Sequence, residues 1–160
     1  MARSADKRLP LKAFPLLLSL SLCLFSCAGG NRPADLGVTA DRLSPCPASP
    51  NCVCSDCDSA SHQIPPLRLA IATDQAWQVT RAQIAALPRT QIISVSDNYL
   101  HAECRSAVFG FVDDVELHLR LEQGIIAVRS AARLGYFDFG VNRKRIEALR
   151  STLREKGVVR

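Results

Sequence analysis

The 160-residue sequence lacks the short motifs that mark common enzyme classes. It contains no P-loop, no H-E-x-x-H zinc motif, and no serine, histidine and aspartate in the order of a serine hydrolase. It also has no internal repeat and no low-complexity segment. The length is that of one domain, so a single globular domain is expected.

The sequence has no apolar run long enough to span a bilayer comfortably. The stretch at 13–25, AFPLLLSLSLCLF, falls short of that length and is followed by small residues. Basic residues precede it, namely Arg3, Lys7, Arg8 and Lys12. A positive start, a short apolar run and a small-residue boundary predict a signal peptide over residues 1–26 rather than a membrane helix.

The end of the apolar run, LFSC at 24–27, resembles the lipobox of bacterial lipoproteins. The resemblance implies cleavage before Cys27, acylation of Cys27 and attachment to a membrane through that lipid. Ala28 stands where an aspartate would retain the protein in the inner membrane. We therefore expect an outer-membrane lipoprotein of the bacterial cell envelope that faces the periplasm. The alternative is an ordinary signal peptide cut after Ala28, which gives a secreted or periplasmic soluble protein.

The mature chain has little excess of positive charge. Residues 1–26 hold four of the 20 Lys and Arg and one of the 15 Asp and Glu, which leaves a net charge of +2 for the remainder. That balance gives no basis for a nucleic-acid-binding surface.

After the signal, residues 27–42 lack apolar periodicity and predict a lipidated, flexible stalk. Residues 43–160 predict one α+β domain with a cysteine-rich leading segment. Its fold is expected to be a four-stranded antiparallel sheet with one helix before it and one after it, both on one face. The expected helices are Asp74–Leu87, capped by Thr73, and Asn142–Lys156; the expected strands are Gln91–Ser96, Tyr99–Val108, Asp113–Leu121 and Gly124–Ala131.

A two-residue turn at Gln123-Gly124 sets the predicted register of the last two strands. It places Leu121 opposite Ile126 on an apolar face. The other face then pairs His118 with Arg129 and Asp114 with Arg133, with Glu116 lying diagonally between the arginines. This polar face is either a binding or catalytic site or an exposed ladder of salt bridges.

Four blocks of sequence together resemble the domain-of-unknown-function family 1499. They are CPASPNC at 46–52, YLHAE at 99–103, FGFVDDVE at 109–116 and VRSAARLGYFDFGVNRKRIEALR at 128–150. The resemblance extends over residues 43–156 and implies no established activity. Cys54 and Ala132 stand where the family usually has serine, and Ala132 weakens any claim for a second catalytic hydroxyl in that loop.

The cysteines of the leading segment suit disulfides in an oxidising compartment. The family resemblance implies a bond between Cys46 and Cys52. Cys54 and Cys57 form a C-x-x-C that could be a second disulfide, a redox pair or half of a metal site. The spacing does not match a zinc ribbon, so no metal and no cofactor are expected. The strand alternation predicts that Cys104 is a buried, unreactive thiol.

The loop after the fourth strand adds further polar residues to the candidate site. The full set of candidate ligand-binding residues is Asp114, Glu116, Arg129, Ser130, Arg133, Tyr136, Asp138, Asn142 and Arg145. Guanidinium groups beside a helix N-terminus could hold an anionic group. In the alternative, Asp138 and Asn142 cap the helix while the arginines pair with Asp114 and Glu116.

The sequence therefore favours a non-enzymatic binding or structural module whose partner is a small anionic ligand or an envelope protein. Two other classes stay open. One is a hydrolase that uses Asp114 or Glu116 with Arg129 and Arg133. The other is a thiol–disulfide protein that uses the C-x-x-C cysteines.

Overall fold

The computed structural model describes residues 30–160. Residues 1–29, which include the predicted signal peptide and Cys27, lie outside the described residues. The elements in chain order are β1 Val38–Thr39, β2 Arg42–Leu43, β3 Cys52–Cys54, β4 Leu67–Arg68, α1 Thr73–Ala85, β5 Thr90–Val95, β6 Tyr99–Arg105, β7 Val112–Arg120, β8 Ile125–Ala132 and α2 Val141–Glu155.

The main sheet is antiparallel and has six strands, in the order β3-β8-β7-β6-β5, with β4 also paired to β8. The α+β class is confirmed, but the prediction of four strands is wrong. The two additional strands, β3 and β4, extend the sheet beyond β8. They are only three and two residues long and lie in cysteine- and proline-rich sequence, so they are too short to show a period-two pattern.

Both helices pack on the same face of the sheet. Helix α1 buries Trp77 and Ile84, and helix α2 buries Ile146, Leu149 and Leu153, all in one apolar cluster with the strands. The spacing of three to four residues puts these side chains on one stripe of each helix. Thr73 is the first residue of α1 rather than its cap. Within residues 30–160, no helix has the length and apolar character that a membrane span requires.

The alternation of β7 divides its side chains between two faces. Val115, Leu117 and Leu119 face the helices and join the apolar core. Asp114 and Glu116 have the opposite parity and therefore point to the other face. They are nevertheless buried, at 1% and 0% exposure, so the sheet is covered on both sides.

The register of β7 and β8 differs from the prediction by two residues. Leu119, not Leu121, lies opposite Ile126, and Glu116 lies opposite Arg129. The difference arises because the turn comprises residues 121–124 rather than two residues. A shift of two residues preserves the parity of every side chain, so the two faces are as predicted although the partners are not.

The second face of the sheet is covered by residues 30–43, which we term the covering segment. The sequence predicts a flexible stalk over 27–42, whereas the structure places the covering segment against the sheet. Arg32 contacts Glu103, and the Gly37 backbone N–H donates to Glu116. These contacts are polar, which explains why apolar periodicity does not reveal the segment.

Candidate functional site

The polar face of the sheet carries a cluster of mostly buried polar and charged side chains, which we term the sheet-face cluster. Its members are Arg32, Tyr99, His101, Glu103, Asp114, Glu116, Arg129 and Arg133. Arg133 donates two hydrogen bonds to Asp114, from Nε to Oδ2 at 2.8 Å and from Nη2 to Oδ1 at 2.7 Å. The same Nη2 donates to Glu103 Oε1 at 2.6 Å. His101 Nε2 lies 2.7 Å from Asp114 Oδ1. Arg133 thereby joins strands β6 and β7 to the end of β8.

Glu116 forms the second centre of the sheet-face cluster. Its Oε2 accepts from Arg129 Nη1 at 2.9 Å, and its Oε1 accepts from the Tyr99 hydroxyl at 2.8 Å and from the Gly37 N–H at 2.7 Å. Both carboxylate oxygens therefore have partners. The arginines pair with Asp114 and Glu116, as one of the two alternatives from the sequence expects, but the ladder is buried rather than exposed.

The electrostatics of the cluster favour fixed charges over proton transfer. Burial raises the pKa of Asp114, but hydrogen bonds from Arg133 and His101 outweigh burial and hold that pKa below its ordinary value. The pKa of Glu103 is lowered in the same way, because hydrogen bonds from Arg32 and Arg133 outweigh its burial. Burial beside Glu116 raises the pKa of Tyr99. A carboxyl group with a lowered pKa is a poor general acid near neutral pH.

The remaining candidate residues do not join this cluster. Ser130 has the parity of the helix-facing side chains, and its hydroxyl donates to Asn142 Oδ1 at 2.6 Å. Arg145 Nη1 donates to both of them, and its Nη2 donates to Asp113 Oδ2 at 2.5 Å. Burial raises the pKa of Asp113, although Arg145 opposes the effect. We term this group the helix-face cluster; it ties β7 and β8 to the start of α2.

The last two candidates have separate roles. Asp138 accepts from the backbone N–H groups of Gly140 and Asn142 at 2.9 and 2.8 Å, so it satisfies the first turn of α2. Tyr136 is exposed and stacks edge-on against Phe137. The nine candidates are thus divided among two clusters, a helix start and an exposed loop.

A cavity of about 410 Å³ opens beside the sheet-face cluster. The lining residues come from the covering segment, the chain at 45–47, strands β7 and β8 and the residue after β8. They are Pro33, Asp35, Pro45, Cys46, Pro47, Asp114, Arg129, Ala131, Ala132 and Arg133. Its size is within the range of small-molecule sites. In residues 30–160, Arg129 Nε and Trp77 Nε1 are the two buried side-chain nitrogens without a hydrogen-bond partner. Of these two residues, Arg129 lines the cavity.

Residues 42–153 match the family described as a protein of unknown function, DUF1499. The chain belongs to this family. The match confirms the resemblance seen in the four sequence blocks and includes both polar clusters of the DUF1499 domain except for the contacts from Arg32 and Gly37. No curated protein matches the chain. No solved structure matches it either.

The four cysteines of the leading segment are gathered at the edge of the DUF1499 domain. Cys46 is bonded to Cys52, and Cys54 is bonded to Cys57. Three of their sulfur atoms, those of Cys46, Cys54 and Cys57, lie within 4.8 Å of one another and form the one group of possible metal ligands among the described residues. A disulfide sulfur offers no thiolate, so this group could hold a metal only after reduction.

Several members of the sheet-face cluster were absent from the candidates taken from the sequence. They are Arg32, Tyr99, His101 and Glu103. The strand alternation of β6 does indicate two of them as polar-face residues, because His101 and Glu103 have the parity opposite to that of the buried Cys104. Arg32 has no comparable signal, because it lies 71 positions from its partner Glu103.

Proposed function

We propose that this DUF1499 domain is a binding module that is exported to the bacterial envelope and anchored there by acylation of Cys27. Its ligand is a small molecule with a carboxylate or a similar hydrogen-bond acceptor, held in the cavity beside the sheet-face cluster. The observation that carries the proposal is the pair of arginines at this cavity, because Arg129 and Arg133 both line it and both are held by buried carboxylates. A guanidinium group offers several N–H donors, and a ligand carboxylate can accept from them.

The fixed charges around the cavity support recognition rather than catalysis. Glu116 holds Arg129 through Nη1, so the guanidinium is oriented before a ligand arrives. Arg133 is oriented in the same way by Asp114. Preorganised donors reduce the entropy that binding costs. Asp35 and Asp114 also line the cavity, which favours a ligand that carries donors as well as an acceptor.

Acetate, a small carboxylate, is a suitable probe of the cavity. The experiment is saturation-transfer NMR on the full chain and on Arg129→Lys. Lysine keeps the charge that pairs with Glu116 but removes the planar guanidinium group, so the acetate signal is expected to fall several-fold. The matched control is Arg68→Lys, since Arg68 is exposed on β4 and does not line the cavity. An acetate signal of equal strength in all three proteins would rule out this site.

The anchor is supported by the lipobox-like LFSC at 24–27 and by the basic, apolar segment before it. The proposed location is the periplasmic side of the outer membrane. We expect Cys27→Ala to abolish incorporation of labelled palmitate and to release the chain from washed membranes. Acylation that persists in Cys27→Ala would refute the anchor and leave the proposal for the cavity intact.

A further inference from the structure

Two loops of the domain expose an unusual number of large apolar side chains. The loop at 106–111, between β6 and β7, exposes Val108, Phe109 and Phe111. The loop at 133–140, between β8 and α2, exposes Leu134, Tyr136, Phe137 and Phe139, and Phe139 is 89% exposed. Exposed apolar residues that are grouped rather than scattered mark interaction surfaces.

Both loops lie at the same end of the sheet. Cys104 near the end of β6 pairs with Asp113 at the start of β7, and Asp113 in turn pairs with Ala132 at the end of β8. The Arg133 N–H also donates to the Val112 carbonyl. We term the two loops together the aromatic end. The turn at 121–124, between β7 and β8, lies at the opposite end.

The described chain begins at the aromatic end. The space next to the Gly30 Cα is bounded by Leu134 and Arg133, and a Cβ there would lie 3.2 Å from Leu134 Cγ. Cys27 precedes Gly30 by three positions. Three residues of fully extended chain span at most about 11 Å. A lipid on Cys27 is therefore attached to the chain within about 11 Å of Gly30, which itself adjoins Leu134.

The charges at this end are compatible with a lipid surface. The loop at 106–111 contains no charged residue. The single acid of the other loop, Asp138, is engaged by backbone N–H groups. Arg105 and Lys144 flank the loops and are exposed. Aromatic and apolar side chains with a basic rim are the composition of segments that lie in a membrane interface.

We propose that the aromatic end docks into the interface of the bilayer that holds the Cys27 lipid. This inference rests on the acylation proposed above, because the lipid brings the loops to the membrane. The anchor and the aromatic loops then act together, since two membrane contacts hold a protein more firmly than one acyl chain. The turn at 121–124 faces away from the bilayer.

Tryptophan quenching by brominated lipids tests this orientation. The full chain is purified in its acylated form and reconstituted into phosphatidylethanolamine and phosphatidylglycerol vesicles with brominated acyl chains. Phe109→Trp and Phe139→Trp place a reporter in each loop. Leu121→Trp is the matched control, because Leu121 is an exposed apolar residue of the opposite turn. Trp77 is buried and provides the same background in every variant.

We expect brominated lipid to remove about half or more of the added emission at positions 109 and 139 and little at 121, because quenching requires burial in the bilayer. The intact mass of each protein reports acylation of Cys27. If the protein is acylated and quenching is equal at all three positions, the docking of the aromatic end is refuted and the acylation of Cys27 is not. If the protein is unacylated and quenching is still stronger at positions 109 and 139, the acylation is refuted and the membrane contact of the aromatic end is not. If the emission of the added tryptophans shifts with protein concentration but is not quenched by brominated lipid, the inference is wrong. The aromatic end would then be an interface with a second copy of the chain.

Discussion

Arg133 holds Asp114 in a two-pronged ion pair within the covered face of the sheet, with N–O distances of 2.8 and 2.7 Å. The Arg133 side chain is 6% exposed and that of Asp114 is 1% exposed. The hydrogen bonds to Asp114 raise the pKa of the Arg133 guanidinium above its ordinary value. Removal of one partner from such a pair leaves a buried charge uncompensated, which is far more costly than loss of an exposed salt bridge.

We therefore expect Arg133→Met to lower the free energy of unfolding by about 3–5 kcal/mol. Urea denaturation of the purified chain measures the change. The exposed-residue control, Arg68→Met, should alter it by less than about 0.5 kcal/mol. A loss below about 1 kcal/mol in Arg133→Met would mean that the covering segment does not exclude water from the pair.

The stability of the domain should fall as the pH drops below neutrality, and His118 should account for part of that fall. Burial lowers the pKa of His118, although Asp41 nearby opposes this shift. The unfolded chain then binds a proton near pH 6.5 while the folded chain remains neutral, so stability is lost as the pH falls through 6.5 toward the lower, folded pKa.

Urea denaturation of the wild type and of His118→Gln at pH 7.5, 6.5 and 5.5 measures this contribution. The wild type should lose more stability than the variant over the interval, by up to about 1.4 kcal/mol per pH unit. Identical slopes would show that His118 does not contribute to the pH dependence.

The cysteines should differ sharply in their reactivity. With the two disulfides seen in the structure, the chain purified under oxidising conditions should be four hydrogens lighter than the fully reduced chain. Cys104 is buried, and burial raises its pKa, so it should resist iodoacetamide until the protein is unfolded. Mass spectrometry after alkylation in native buffer and in guanidinium gives both results. Rapid native alkylation of Cys104 would contradict the packing described here.

Much of the fold was readable from the sequence because it depends on local pattern. The four longer strands and both helices were placed within a few residues, since each has a clear period of two or of three to four. Parity also placed Asp114 and Glu116 on one face and Cys104 on the other. The register was two residues wrong because the sequence does not fix the turn at 121–124.

The site was less readable because it depends on distant contacts. The sequence grouped Ser130 and Arg145 with Arg129 and Arg133, but the strand sends neighbouring side chains to opposite faces, and the two groups form separate clusters. The covering segment has no apolar pattern, and its hydrogen bonds to Glu103 and Glu116 join residues that are 71 and 79 positions apart in the sequence. Strands β3 and β4 were missed because they are held by their pairing with β8 rather than by a local pattern.

The covering segment also constrains the order in which the domain is assembled. Gly37 and Glu116 are 79 positions apart, and Arg32 and Glu103 are 71 apart. Residues 30–43 therefore have no surface to cover until β6 and β7 have formed and paired. Contacts of such long sequence separation are slow to form. During folding the charged face of the sheet is thus closed late, by residues that come early in the chain.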